Sequence, residues 1–467
     1  MRRILFVLLL LGAALQLRAQ ISFRNQLVYT HWKKEQRNIL EDWADVTWQH
    51  NWFKAGLRYE INHPPDPYIF PKDSLLKNYE LTFRYLQFAY HKMHLTVGNF
   101  YEMFGRGLTL RTYEDRNLRV DTNIEGVRFH LAQKKFKFKA FAGRMRDKYN
   151  RRDDFINGYD AELRPRRDLQ VGASLLYNSR SGQKTQHVWS GRVNYSHDRG
   201  DVYFEAVRPQ WTPAYSYYAA ANFAFERLAV TAEIKDYNHM SFKNGYETEY
   251  NAAPSVTREH VFSLLNRHPH ALNQDDERGY QLEASYNFND DMQLLANHSQ
   301  TFTHDRKRIF AEYYLEWNHF WGDKIEYHVA ADWNYDFSTN TENVTPLVDG
   351  AFNLSERDQL HVSVQHQHTK NRLDLSEYDN EFLLLEYSRS PLLSAAIVSE
   401  YTNKDQLRNV QMERHFWIYG TMSFNFWKNQ RLSLLYGTRR EGFICVGGVC
   451  RYEPEFEGIE IKLTNRF

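Results

Sequence analysis

Opposed charges gather in one glycine-broken stretch, 98–120. Arg106, Arg111, Glu114, Asp115, Arg116 and Arg119 crowd a single connection, and Gly98, Gly105 and Gly107 interrupt its strand character. Folded into a pore, such a loop would narrow it and select solutes by charge. Packed on a wall or exposed outside, the same residues would only pair with one another, and the sequence leaves both readings open. A second candidate is the long stretch 238–278, where His260, His268 and His270 precede Asp275, Asp276 and Glu277. Imidazoles and carboxylates can ligate metals, but a spacing such as His268-Pro269-His270 has no distinctive ligand geometry. A polar extracellular loop is the preferred reading, and no metal or other cofactor is assigned. His366 and His368 share a strand face with Val362 and Val364; rim histidines are the simpler account of that pair.

Signatures of catalysis are missing. The sequence holds no nucleophile elbow, phosphate-binding loop, dinucleotide fingerprint or His-Glu-x-x-His motif, so no catalytic residue is assigned and an enzyme is not expected. Lys and Arg total 59 against 58 Asp and Glu. This near balance lacks the basic footprint of a nucleic-acid binder.

The two cysteines stand in Cys445-Val446-Gly447-Gly448-Val449-Cys450. Gly-Gly between strand residues predicts a two-residue hairpin loop, whose central positions need positive φ. Val446 and Val449 then form the hydrogen-bonded pair beside the turn. Cys445 and Cys450 face each other in the next pair, with Cα atoms ~4.5 Å apart, at the short end of disulfide geometry. Export to an oxidising compartment favours the bridge.

The elements that must position these residues are strands. Period-two alternation dominates from Ile21 onward. The longest run sets Ile325, Tyr327, Val329, Ala331, Trp333, Tyr335 and Phe337 against Glu326, His328, Ala330, Asp332, Asn334 and Asp336. Short polar turns alternate with longer connections, among them 32–44, 62–78, 101–120 and 238–278. Walking the pattern out gives about 24 strands, within a range of roughly 22–26 set by boundary uncertainty. This is the texture of a single large transmembrane antiparallel up-and-down β-barrel, with short periplasmic turns, longer extracellular loops and both termini periplasmic. The chain is 42% hydrophobic and 16% aromatic, which excludes disorder. Its mean hydropathy of −0.69 averages two faces that the alternation keeps apart.

Met1–Ala19 has a basic start, an apolar stretch Ile4–Leu15 and a small residue at Ala19, the pattern of a secretory signal. Cleavage there leaves 20–467 as the barrel. Strands begin within a few residues of Gln20, so a separate N-terminal plug domain is not expected. At the other end Gly458, Ile459, Ile461, Leu463 and Phe467 resemble the C-terminal signal, 458–467, that bacterial outer-membrane proteins present to the barrel-insertion machinery. Asn465 interrupts its apolar spacing.

Two segments carry a narrower resemblance. The run from Gly98-Asn99-Phe100-Tyr101-Glu102-Met103-Phe104-Gly105-Arg106-Gly107-Leu108 through Leu110-Arg111-Thr112-Tyr113-Glu114-Asp115 is one, and Gly442–Tyr452 is the other. Both resemble an uncharacterised family of outer-membrane β-barrels from Bacteroidota-type bacteria, a domain of unknown function. The resemblance implies a bacterial outer-membrane location and a barrel fold, and supplies no chemistry.

The expected partners are outer-membrane lipid and the insertion machinery, with no nucleic acid. The functional expectation is a porin-like channel or transporter for an unknown solute. The alternative is a non-conducting scaffold that docks surface lipoproteins or a secretion or assembly complex. A barrel of ~22 strands is wide enough to need plugging by protein, so the lumen leaks, carries an inward loop or is capped by a partner. One test concerns the cysteines. Cys445→Ser should raise protease sensitivity in the last hairpin while leaving insertion intact. The loop closed is so short that the stabilisation lost should not exceed ~3 kcal/mol.

Overall fold

The computed structural model describes residues 20–70, 74–180, 182–268, 270–404, 406–407, 410–411, 414–446 and 449–467, without side chains for 405–411 and 443–450. The proposed signal, 1–19, lies outside the described residues. So do the Cys445 and Cys450 side chains, although the backbone register sets Cys445 opposite Cys450 and Val446 opposite Val449.

Twenty-four strands form one antiparallel sheet in which chain neighbours pair along the sheet. The sheet closes on itself. The first strand, Gln20–Trp32, pairs with Arg37–His50 on one side and with the last strand, Phe456–Arg466, on the other. The C-terminal residues singled out by the sequence make that seam: Leu463 lies opposite Leu27, Ile461 opposite Tyr29 and Ile459 opposite His31. Closure leaves no sheet edge with unpaired N–H and C=O groups, which is the condition for a sheet to stand in hydrocarbon.

Short connections such as 51–52, 91–92 and 198–199 gather at one end of the barrel, and the longer ones, up to 239–275, at the other. One connection is much shorter than the sequence pattern predicts. The stretch 32–44 is mostly strand, with only 33–36 as a turn. Its alternation is inverted near the turn, because Ile39, Glu41 and Trp43 point inward and are buried. Apolar residues on the inner face therefore read as a break in the pattern.

Elsewhere the two faces follow the expected alternation. Leu57, Tyr159, Val193, Leu282, Val329 and Ile397 are exposed on the outside, a belt whose natural solvent is lipid. The inner face is polar, and its burial changes along the barrel. On Ile325–Asp336 the inward Glu326 and His328 near the short-turn end are half-buried, whereas Ala330, Asp332, Asn334 and Asp336 are buried. The next strand, Thr341–Asn353, repeats this in reverse, from buried Thr341, Asn343, Thr345 and Leu347 to half-buried Asp349 and exposed Asn353. The lumen is thus filled in its loop-end half and open as a polar vestibule in the other.

A charge placed on the outer belt should be costly. Leu282→Arg is expected to destabilise the inserted barrel by ~2–4 kcal/mol, measured by denaturant titration of refolding into liposomes.

Candidate functional site

Two long connections fill the loop-end half of the lumen. The first, 101–123, folds as two miniature hairpins, Met103–Phe104 with Leu110–Arg111 and Glu114–Asp115 with Val120–Asp121. Phe104, Leu108 and Leu110 are fully buried against Phe141, Ile156, Leu176, Val188 and Val207 of the inner wall. Glycine is required where the segment comes closest to its neighbours. At Gly107, φ is +92°, and a Cβ would stand 2.5 Å from the Ala252 carbonyl oxygen; at Gly105, φ is +54° and a Cβ would meet the Glu205 carboxylate.

The charged residues singled out in the sequence divide between wall and lumen. Arg58 Nε lies 2.7 Å from Asp45 Oδ1, and its Nη1 lies 2.7 Å from Glu114 Oε1. Arg116 completes a four-membered ring, 3.1 Å from Glu114 and 3.3 Å from Asp45. Arg119 pairs with the buried Glu41. The guanidinium carbons of Arg116 and Arg119 lie 5.3 and 4.9 Å from the Trp43 ring centroid, within cation–π range. Asp115 accepts from the backbone N–H groups of Asn117 and Leu118 and so shapes its own turn. Arg111 and Arg106 lie over Tyr113 and Tyr203. Asp121 is half-buried, and its desolvation alone would raise its pKa. Arg146 at 2.9 Å and the amide of Asn123 outweigh burial and hold it below the ordinary carboxylate value.

The second connection, 239–275, lies inside the barrel wall and spans it. Near its start Arg111 N–H donates to the Tyr250 carbonyl, Ala252 N–H to that of Gly107, and Asn251 Nδ2 to that of Leu108. The two connections therefore interlock through their backbones. Further on, Arg258 pairs with Glu283 and His260 Nε2 lies 2.9 Å from Glu312 Oε1. Leu264 N–H donates to Gln365, Gln367 donates to the Leu264 carbonyl, and Arg267 pairs with Glu400. All these wall partners belong to the inward face.

The histidines and acids of this stretch do not form one cluster. His270 meets Glu277 at 2.7 Å, and Glu277 also pairs with the buried Lys235. Asp275 accepts from Ser241 N–H, and Asp276 meets His304. His268 is half-buried, and desolvation, with Arg267 adding to it and Asp336 opposing it, pushes its pKa down to about 4. His366 and His368 stand on the outer face, paired with Glu381 at 2.7 Å and Asp379 at 2.8 Å.

A third element, the hairpin Gly442–Val446 with Val449–Glu453, joins the plug through Arg267, which donates to the Glu441 carbonyl oxygen. Arg451 is half-buried, and desolvation together with the charge of Arg119 lowers its pKa to about 10. Between these elements is a cavity of about 480 Å³, lined among others by Trp43, Tyr68, Arg111, Tyr113, Arg119 and Asp121. A second cavity, of about 390 Å³, shares Tyr68, Arg119 and Arg451 and runs past Glu41 to Lys462.

Sequence reasoning missed the extent of this plug. The available signal was apolar residues on both faces at the loop ends of strands, as in Phe155-Ile156 and Val188-Trp189. Ile156 and Val188 point inward there, while Phe155 and Trp189 are exposed.

A closed antiparallel barrel of 24 strands with an apolar exterior is the architecture of outer-membrane barrels. The chain belongs to DUF6029, a family of unknown function, matched over residues 9–467. No curated protein matches its sequence. A chain of the E. coli P pilus tip assembly intermediate PapC-PapD-PapK-PapG is 8% identical with a TM-score of 0.55. That likeness covers 96% of this chain and 60% of the other, so this chain spans about 60% of that relative's length. The copper transporter OprC is 10% identical with a TM-score of 0.47, over 96% of this chain and 80% of that one. The P pilus usher translocation pore is 9% identical with a TM-score of 0.46, over 96% and 99%. These likenesses are of fold.

The interlock makes a specific expectation. Gly107→Val forces a β-branched side chain into positive φ, at least ~1–2 kcal/mol of strain, and displaces the Ala252 carbonyl. Hydrogen exchange should accelerate in both 101–123 and 239–257, while the barrel keeps its heat-modifiable migration in gels.

Proposed function

We propose that the chain is an outer-membrane barrel serving as a porin-like, solute-selective pathway, with its short turns and termini on the periplasmic side. The observation that carries this reading is the sequence of spaces along the lumen. A polar vestibule opens at the short-turn end, and beyond it the charged and aromatic cavities sit among the loops. Cavities of about 480 and 390 Å³ have the size of small-molecule sites. Tyr and Trp faces with Arg and carboxylate groups suit a small polar solute that offers hydrogen-bonding groups of both kinds. The segment 101–123 acts as the constriction, and Arg111, Arg116 and Arg119 set its charge preference. The seam strand 458–467 serves as the signal for the insertion machinery.

The interlock of 101–123 with 239–275 favours a second reading, a sealed barrel that anchors surface lipoproteins or an assembly complex. Planar-bilayer recording separates the two. The purified chain should show small, charge-selective conductance, and deleting 103–116 should raise it severalfold and abolish the selectivity. Unchanged conductance and selectivity in the deletion would remove the constriction role. A wild-type barrel that never conducts and co-purifies with a stoichiometric lipoprotein would replace the pathway by the scaffold.

A further inference from the structure

Away from those cavities, the inner wall carries a cluster that the interlock and the ion pairs do not account for. Glu312 and Asp332 stand on neighbouring strands, diagonal to each other in the ladder, since Glu312 lies opposite Asn334 and Asp332 opposite Tyr314. Both point inward, and they are only 3% and 2% exposed. His260, whose side chain is 5% exposed, descends on them from the lumen segment. One ligand atom from each of the three residues lies within 4.8 Å of the other two.

The polar atoms there are short of partners. Glu312 Oε1 meets His260 Nε2 at 2.9 Å, but Glu312 Oε2 has no hydrogen-bond partner. Asp332 Oδ2 accepts from Asn334, and Asp332 Oδ1 has none. Ser299 is fully buried directly across the ladder from Glu312, and its hydroxyl is unpartnered too. Among the described residues, no lysine or arginine forms an ion pair with either carboxylate. Two buried acids side by side, with free lone pairs and one imidazole, call for a positive charge between them. The spacing suits a metal. Ligand atoms ~2.1 Å from a cation are ~3.4 Å apart at a tetrahedral angle and ~3.0 Å apart at an octahedral right angle. The His260–Glu312 distance of 2.9 Å lies just short of that range, so a small outward shift of the ring would admit the ion.

We propose that His260, Glu312 and Asp332 form a site for a divalent cation of the Zn²⁺ or Mn²⁺ class, which fastens the lumen segment to the wall. The imidazole suits Zn²⁺ and the two carboxylates suit Mn²⁺, so the mixed set fits either ion. Three protein ligands leave room for water, and the Ser299 hydroxyl stands within the same patch to hold it. The ring of Tyr314, 4.7 Å from that of His260, covers the site from the side. The cation would bind the segment at a point where its other holds are single hydrogen bonds, ion pairs and the small apolar clusters of Phe262, Leu264 and Leu265. This inference does not depend on the transport reading, because a sealed scaffold would need the same fastening.

The test uses the full chain, purified in detergent, stripped with a chelator and titrated calorimetrically with Zn²⁺ and, separately, with Mn²⁺. The expected result is one site per chain for at least one of the two ions. His260→Ala and Asp332→Asn should each weaken it by more than the ~10–100-fold lost when an outer-shell partner of a ligand is removed. Hydrogen exchange across 258–267 should slow on adding the ion in the wild type and not in His260→Ala. His260 lies outside the strand ladder, so its variant decides the matter even if Asp332→Asn fails to insert. Binding that His260→Ala leaves unchanged, or no binding below millimolar concentrations of either ion, would overturn the proposal.

Discussion

Everything in this molecule depends on the requirement that the backbone amides of its wall find partners within the wall. Hydrocarbon offers no hydrogen bonds, so the sheet must close, and the seam between Gln20–Trp32 and Phe456–Arg466 does this. Closure with 24 strands creates the next problem. Side chains alone cannot fill an interior of that width. The chain fills it with its own connections, whose amides then need partners in turn. They find them in each other, between Arg111 and Tyr250 and between Ala252 and Gly107, and in wall amides such as Gln365 and Gln367.

The ions of the lumen have a positioning role within that scheme. Buried pairs gain little over well-packed apolar contacts, but leaving one partner unpaired is costly. The ring formed by Arg58, Asp45, Glu114 and Arg116 therefore tolerates one placement of the first connection and penalises others. Trp43, flanked by Arg116 and Arg119, and Gly107 under the Ala252 carbonyl restrict it further. Shape is thus specified by charge and close approach, while the attraction comes from Phe104, Leu108 and Leu110 meeting the wall.

The barrel was legible in the sequence because alternation is local. Ile325–Phe337 declares its two faces without knowledge of any other strand, and the rhythm of short and long connections follows from the same reading. The charged stretch 101–120 was legible as a candidate, though its destination was not. Glu114 finds Arg58, Glu102 finds His130 and Lys139, and His260 finds Glu312, all across separations that no spacing rule covers. Long polar connections look alike in sequence whether they face water or a lumen. The inward course of 239–275 rests on contacts with strands up to the one carrying Glu400, and its histidines turn out to serve different partners. Residues 32–44 failed as a loop for a related reason: Ile39 and Trp43 are inward and apolar because something packs on them.

The plug is held unequally around its circumference. On the side of strands 124–238 a continuous apolar cluster unites wall and both connections, from Phe104 to Val256. On the far side Phe262, Leu264 and Leu265 join only two small clusters, and most of the remaining contact is amide and ionic. Polar contacts exchange for water at little net cost, whereas apolar ones do not. If the plug opens locally, opening costs least at the far side, with the apolar cluster as the hinge. An aperture opened there would be a crescent against the wall, bordered by the now buried Asn343, Thr345, Gln367 and Thr369, instead of a central round pore.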